Sequence, residues 1–396
     1  MVKPVNGAWT VTGGWARTVG SAALLLAVAV GMSNKTVGQQ EPEYQGKKAS
    51  AWLEILANDS SARKRALAVE AAVRLWVEHQ HTEALAGVVR AVRLDNSAAV
   101  RATAARALAG LPERDIRACA RELAEALSGE KDSRVRRELA GVMARHEEVA
   151  RGAVTALIGL LQDKESATRA AAAEALAVAG NAAQAAAPEL VALLRDADPL
   201  VRRAAIRALG RIQPAGAAAV ADTLASMLNQ EKDQELRIEI ITSLGLLSEK
   251  TPAVVHTLAQ LLQQNDGELR LRSLRVLTSF GPAARAALPE VLRVAQKDPL
   301  PRVRQEAVHA YAAILSTDLP TQLSTLLDLL QDADFGVRLA VLEEIAALGP
   351  TLRNNADALR AIRLRLSDPH VKVREAAAAA LKRIEQKPKE PGKQQQ

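Results

Sequence analysis

The side chains best equipped for chemistry in this chain are six histidines, a single cysteine and two pairs of adjacent carboxylates. The histidines are His79, His81, His146, His256, His309 and His370. Only His79 and His81 are close in sequence, and residues two apart do not share a helix face. No H-E-x-x-H, CxxC, CxxCH or EF-hand pattern accompanies them, and there is no P-loop or G-x-S-x-G. The sequence therefore offers no metal site, no cofactor site and no catalytic residue, and it reads as non-enzymatic. Glu147-Glu148 and Glu343-Glu344 read as solvated helix faces. Cys119 has no partner for an intrachain disulfide, and its alanine-rich surroundings make it a small core residue.

The informative chemistry is a repeated guanidinium. Arg101, Arg136, Arg169, Arg202, Arg237, Arg270, Arg304, Arg338 and Arg374 recur at intervals of 35, 33, 33, 35, 33, 34, 34 and 36 residues. A fixed period of about 20–50 residues marks stacked repeats, in which each unit buries its apolar face on its neighbours. Asp59 and Arg65 begin an additional, degraded unit, with Lys64 where the others carry an apolar residue. Catalysis needs one place only, whereas this residue returns in every unit, so its role is expected to be structural.

The elements that must position these arginines follow from the residues around them. One place before is usually apolar (Val100, Val135, Val201, Leu236), three after small or apolar (Ala104, Leu139, Ala172, Ala205), and seven after large (Leu108, Met143, Leu176, Leu209). Offsets of −1, +3 and +7 lie on one helix face. An acid precedes each arginine by six or four residues (Asp95, Asp132, Asp163, Asp196, Asp233, Asp266, Asp298, Asp332 or Asp334, Asp368) and suits a helix N-terminus. A second apolar-periodic segment comes before it. Pro188 and Pro289 fit first turns, and Gly180, Gly281 and Gly349 fit helix ends. Ten helical hairpins of about 34 residues are expected between residues 47 and 385, an all-α superhelical solenoid.

The motif D-x(3–5)-V-R-x-x-A-x-x-x-L-G, following a shorter helix that often opens with proline, resembles the HEAT repeat. The likeness is greatest to the bacterial, phycobilin-lyase type. Gly46-Lys47 followed by Trp52-Leu53 resembles the opening helix of exported bacterial HEAT-repeat proteins. The resemblance implies a scaffold or adaptor with an aspartate–arginine ladder along the stack, and Asp196 with Arg202 as one rung. Two departures stand out: Thr168 precedes Arg169, and the third unit lacks the closing Leu-Gly.

The ends differ in composition. Residues 1–38 contain Lys3, Arg17 and Lys35 but no acid, and Val19–Met32 is an uncharged, mostly apolar run of 14 residues. That is short for a span of about 20 residues and fits a signal peptide. Thr36-Val37-Gly38 offers a cleavage site, and Ala29-Val30-Gly31 a second. The expectation is export to the periplasm or beyond, with no membrane span in the mature chain. Residues 39–46 read as a linker and 386–396 as a disordered polar tail. The formal charge of +7 falls to +4 without residues 1–38 (49 basic minus 45 acidic).

That modest charge bears on partners. The +5 column of the second helices reads Glu70, Arg106, Gly141, Glu174, Arg207, Thr242, Arg275, His309, Glu343, Ala379, a mixture and not a basic stripe. A phosphate-tracking surface wants repeated Lys/Arg and aromatic platforms, so nucleic acid is disfavoured. At +1, Ile238, Leu271 and Leu339 are large aliphatics where other units carry alanine or polar residues. With Arg203, Arg207 and Arg275 they form the expected binding strip on a concave face, for a protein or peptide partner of a monomeric solenoid. The alternatives are an accessory factor holding a tetrapyrrole or enzyme partner, as in lyase-type relatives, and a cytoplasmic nucleic-acid binder.

Overall fold

A computed structural model describes residues 41–386. The expected signal peptide and its cleavage sites, and all of the polar tail but Gln386, lie outside the described residues. Helical hairpins fill almost all of the rest, as the apolar spacing predicts. Their second helices are Ala62–His79, Ala98–Leu108, Ser133–Met143, Ser166–Ala179, Pro199–Ile212, Gln234–Leu247, Gly267–Phe280, Pro301–Ile314, Phe335–Leu348 and Val371–Glu385. The chain is an all-α solenoid. Its residues divide into two compact units, one running to Glu189 and including Asp196–Ala204, the other comprising Leu190–Arg195 and Ala205 onward.

In the first unit a short antiparallel hairpin, β1 (Glu43–Tyr44) and β2 (Lys47–Lys48), occupies part of what reads as linker in the sequence. Gln45 and Gly46 turn it with positive φ. It is tied to the first helix, Ala49–Asn58, by a bond from Trp52 Nε1 to the Tyr44 carbonyl (2.8 Å), and Lys47 Nζ stands 5.4 Å from the Trp52 ring centre. The second helices Ala62–His79 to Ser166–Ala179 then pack each on the next.

The −1, +3 and +7 residues form this core. Val100, Ala104, Leu108, Val135, Leu139, Met143, Ala172 and Leu176 are all buried. The two departures have local consequences. Thr168 is buried where valine is usual, and its hydroxyl donates to the Ser133 carbonyl (3.3 Å). After the third unit's second helix, the first-helix segment is broken into Glu147–Gly152 and Val154–Leu160. Ser166–Leu193 is long and apolar enough, at 28 residues, to cross a membrane by length and composition. Gly180, at φ 57°, and non-helical Ala183 interrupt it, leaving separate helices Ser166–Ala179 and Ala187–Leu193.

In the second unit, Gln234–Leu247 to Val371–Glu385 repeat the arrangement. Leu236, Ile240, Leu244, Leu269, Leu277, Val337, Val341 and Ile345 are buried, as are Val373 and Ala377, while Leu381 is half-buried. Gly281 and Gly349 end helices at φ 56° and 52°. Cys119, in the first unit, is buried, and burial followed by the Glu122 charge pushes its thiol up to about 11, so it is not a thiolate at neutral pH.

Close helix approach depends on absent side chains. A Cβ on Gly210 would stand 2.9 Å from Ser243 Cβ, so Gly210→Ala is expected to cost about 1–3 kcal/mol through overpacking. Gly141 has nothing within 4 Å of the same point and ordinary helical backbone, so Gly141→Ala should instead gain about 0.5–1 kcal/mol. Chemical denaturation of the two variants checks the opposite signs.

Candidate functional site

The recurrent arginines are clamps. Arg65, Arg101, Arg136, Arg169, Arg270, Arg304 and Arg338 each donate through Nη1 to the carbonyl oxygen six residues back, closing their own turn, and through Nε to an acid 27–30 residues ahead, while Arg202 and Arg374 donate to carbonyls of their own turn and Arg237 to Gln264. Arg169 reaches the Asp163 carbonyl (2.8 Å) and the Asp196 carboxylate (2.8 and 2.9 Å). Arg65 binds Asp95 (2.7 and 2.8 Å), and Arg101 binds Glu130 (2.7 and 2.9 Å). In the second unit Arg270 binds Asp298 (2.6 and 3.0 Å), Arg304 binds Asp332 (2.8 and 2.9 Å), and Arg338 binds Asp368 (2.8 and 2.7 Å). The fork geometry of guanidinium is what permits carbonyl and carboxylate at once.

This corrects the rung expected from the resemblance. The Asp196 carboxylate is held by Arg169, whereas Arg202 donates to the Asp196 and Ala197 carbonyls (2.9 and 3.2 Å). Each carboxylate therefore joins consecutive repeats and not the two ends of one turn.

The acids divide their labour by offset. Those four before the arginine cap the second helix: Asp132, Asp233, Asp266 and Asp334 each accept N–H bonds two and three residues on. The aspartates six before, Asp95, Asp163, Asp196, Asp298, Asp332 and Asp368, accept the preceding clamp and one N–H of the turn, as Asp298 does from Leu300 (3.0 Å). Two members of the second set were missed in the sequence because they are not aspartate. They are Glu130, bound by Arg101, and Gln264, whose Oε1 accepts from Arg237. The −6 spacing, applied without regard to residue type, finds both.

A second row lies nearer solvent. Arg106 bonds Glu138 (2.7 Å), Arg207 bonds Glu239 (2.8 Å), Arg275 bonds Glu306 (3.1 Å), and His309 Nδ1 meets Glu344 (2.6 Å). The Arg106 hydrogen bond holds the Glu138 carboxyl below its ordinary value. Hydrogen bonding to Glu344 raises His309, so that pair's contribution is complete below the ordinary imidazole value and fades as pH rises through the raised one.

The six residues of the expected binding strip are not gathered into an apolar surface. Arg203 is half-buried and falls in the first unit; the other five fall in the second. Ile238 and Leu339 are half-buried, and Leu271 is buried at 4% exposure. The expectation of an accessible aliphatic at Leu271 is thus overturned: at this repeat the helices close over +1. Leu271→Asp would put a carboxylate in the core and unfold the region before it touched any partner. Arg207 and Arg275 remain at the surface, engaged with glutamates.

Residues 157–245, 187–277 and 254–346 each match the family model of HEAT repeats, so HEAT repeats account for at least that part of the chain. A search of curated protein sequences found no match. Among solved structures, an engineered protein is similar at 22% identity and a TM-score of 0.58, over 85% of this chain and 99% of that one. A chain from the structure of Kap95p bound to RanGDP is similar at 15% identity and TM-score 0.54, and one from a Kap95:Nup1 complex at 14% and 0.53. The match covers 85% of this chain and 51% of each of those, about half their length.

Asp196 and Asp368 sit below the ordinary aspartate value, chiefly because Arg169 and Arg338 hydrogen-bond them. Folding thus favours their ionised forms. The stability this brings is present above the ordinary aspartate value and is lost as pH falls through the lowered one. Arg169→Ala is expected to cost about 3 kcal/mol near neutrality, since it leaves a largely buried carboxylate unpaired, and to approach the parent protein in strong acid. Denaturation midpoints across that pH range test this.

Proposed function

We propose that this chain is a non-enzymatic, protein-binding scaffold built on a HEAT solenoid. The carrying observation is the outer row Arg106–Glu138, Arg207–Glu239 and Arg275–Glu306. Its guanidinium groups are answered by carboxylates of the following repeat, so the second helices offer alternating fixed charge. Such a surface suits the mixed polar face of another protein and lacks the uncompensated positive charge that tracks phosphate. The recurrent machinery works within the array, repeat by repeat, which is the economy of a scaffold and not of one reaction centre. Two fold neighbours come from structures with RanGDP and with Nup1, which supports the same reading by fold alone.

The contact surface in this reading lies within the second unit, on the exposed part of the second helices around Arg207, Arg275 and the half-buried edges of Ile238 and Leu339, without Leu271 and without Arg203, which belongs to the first unit. The acid-free N-terminus with its apolar run supports export of the mature chain from about residue 39.

Purification of the protein from its native cells, with intact-mass analysis and light scattering, tests the reading. The expected outcome is a chain lacking about the first 38 residues, associated with a defined protein in a complex resistant to nuclease. A complex that carries nucleic acid and dissolves on nuclease treatment would overturn the scaffold reading, and a chain starting at Met1 the export reading.

A further inference from the structure

One rung of the ladder lacks its acid. Of the ten residues that stand six before a recurrent arginine, nine are acids and Gln264 is neutral. Gln264 lies in the turn of the seventh hairpin, between Pro252–Leu261 and Gly267–Phe280, and meets Arg237 of the sixth, on Gln234–Leu247. Arg237 does not clamp. Among the described residues its one hydrogen bond goes to Gln264 Oε1; it makes none to the carbonyls of its own turn, and its Nε is buried with no partner. Gln264 is exposed, whereas Asp298, Asp332 and Asp368, at the same place in the next three hairpins, keep at most 10% of their side chains in solvent.

The outer row lapses at the same junction. Its place on the sixth hairpin is held by Thr242, whose hydroxyl donates to the Ile238 carbonyl of its own helix (2.8 Å). Before this junction Arg207 pairs with Glu239, and after it Arg270, Arg304 and Arg338 each close on an acid. What bridges the turn edge here, besides Arg237, is another neutral amide: Gln234 Nε2 donates to Asp266 (2.8 Å) at the surface. Ser273 of the seventh hairpin stands at +3, where the other nine carry alanine or a larger aliphatic, and its fully buried hydroxyl has no partner. The edge away from the turn is tight. A Cβ on Gly245 would stand 3.1 Å from Val276 Cγ2, and the Thr251 hydroxyl, which caps Pro252–Leu261, donates to Asp222.

We infer that the junction of the sixth and seventh hairpins is a hinge: their turn edges part about the Gly245–Val276 contact, and the opening bares Ile238. The +1 position looks toward the following hairpin, as Gln305 shows by bonding Asp334 (3.3 Å), and Ile238 is half-buried while the edges are closed. Parting here breaks amide contacts in place of the guanidinium–carboxylate fork that holds the other edges. It also hydrates the Arg237 Nε, which is unbonded when closed. What the movement serves rests on the scaffold reading. Arg207 and Ile238 lie on one side of the seam and Arg275 and Leu339 on the other, so opening resets the surface that a protein partner meets. The hinge itself does not rest on that reading.

Amide hydrogen–deuterium exchange of the full chain, resolved by peptide, tests this. In the parent the N-terminal half of Gln234–Leu247 is expected to exchange faster than those of Pro301–Ile314 and Phe335–Leu348. Gln264→Glu gives Arg237 the carboxylate that the other hairpins supply. It should slow exchange in that half by about tenfold or more and leave Phe335–Leu348 and Val371–Glu385 unchanged. An Ile238→Cys variant, in which buried Cys119 is the only other thiol, should be labelled by a maleimide more slowly, by a similar factor, once Gln264→Glu is added. Parent exchange no faster at this junction than at the next two, or unaltered by Gln264→Glu, overturns the hinge. So does equal slowing throughout the second unit, which marks general stabilisation. Slower exchange with unchanged labelling keeps the hinge and overturns the baring of Ile238. Neither readout involves a partner, so failure of the scaffold reading would leave both as they are.

Discussion

The structure depends on a guanidinium that must satisfy two neighbours at once. A helical hairpin leaves carbonyl oxygens unbonded at the turn between its helices, where burial would make them costly. The clamp arginine fills its own turn's carbonyls and spends its remaining donors on the next repeat's acid, as Arg338 does with Asp332, Ala333 and Asp368. A buried charge pair alone is a poor stabiliser, since desolvation offsets attraction. Here the carbonyls and turn N–H groups complete the hydrogen bonding of both ions, so desolvation is matched and each repeat's register is fixed on its neighbour.

Once that register is set, the small residues matter. Alanine at +3 and glycine at positions such as Gly210 allow close helix contact, and the larger +7 side chains fill what remains. The clamps consume the inner arginines and the outer row engages others with glutamate. What is left for partners is a surface of bonded charge, with local exceptions where no neighbour supplies the acid.

The sequence made the hairpins legible because −1, +3 and +7 burial is a property of one helix and its immediate neighbour. Val100, Leu139 and Leu277 follow it without exception. The ladder was visible as spacing but its partners were not. From the period alone Arg202 could face the acid six residues back or the acid of the next unit, and only the packing of consecutive turns decides. Glu130 and Gln264 were hidden by attention to aspartate. Leu271 was misjudged because exposure at +1 depends on how near the adjoining helix comes, which no single repeat encodes. The hairpin at Glu43–Lys48 rests on Trp52 bonding the Tyr44 carbonyl, a contact without periodicity to announce it.

The central claim is that the clamps couple one repeat to the next. A double-mutant cycle on Arg270 and Asp298, whose side chains are 7% and 4% exposed, measures it most directly. Arg270→Ala, Asp298→Ala and the double variant would be compared by denaturant unfolding. The account predicts a coupling energy of about 2 kcal/mol or more, with the double variant far less damaged than the sum of the singles. A coupling near zero, with additive losses, would mean that each residue serves only its own turn and would contradict the ladder.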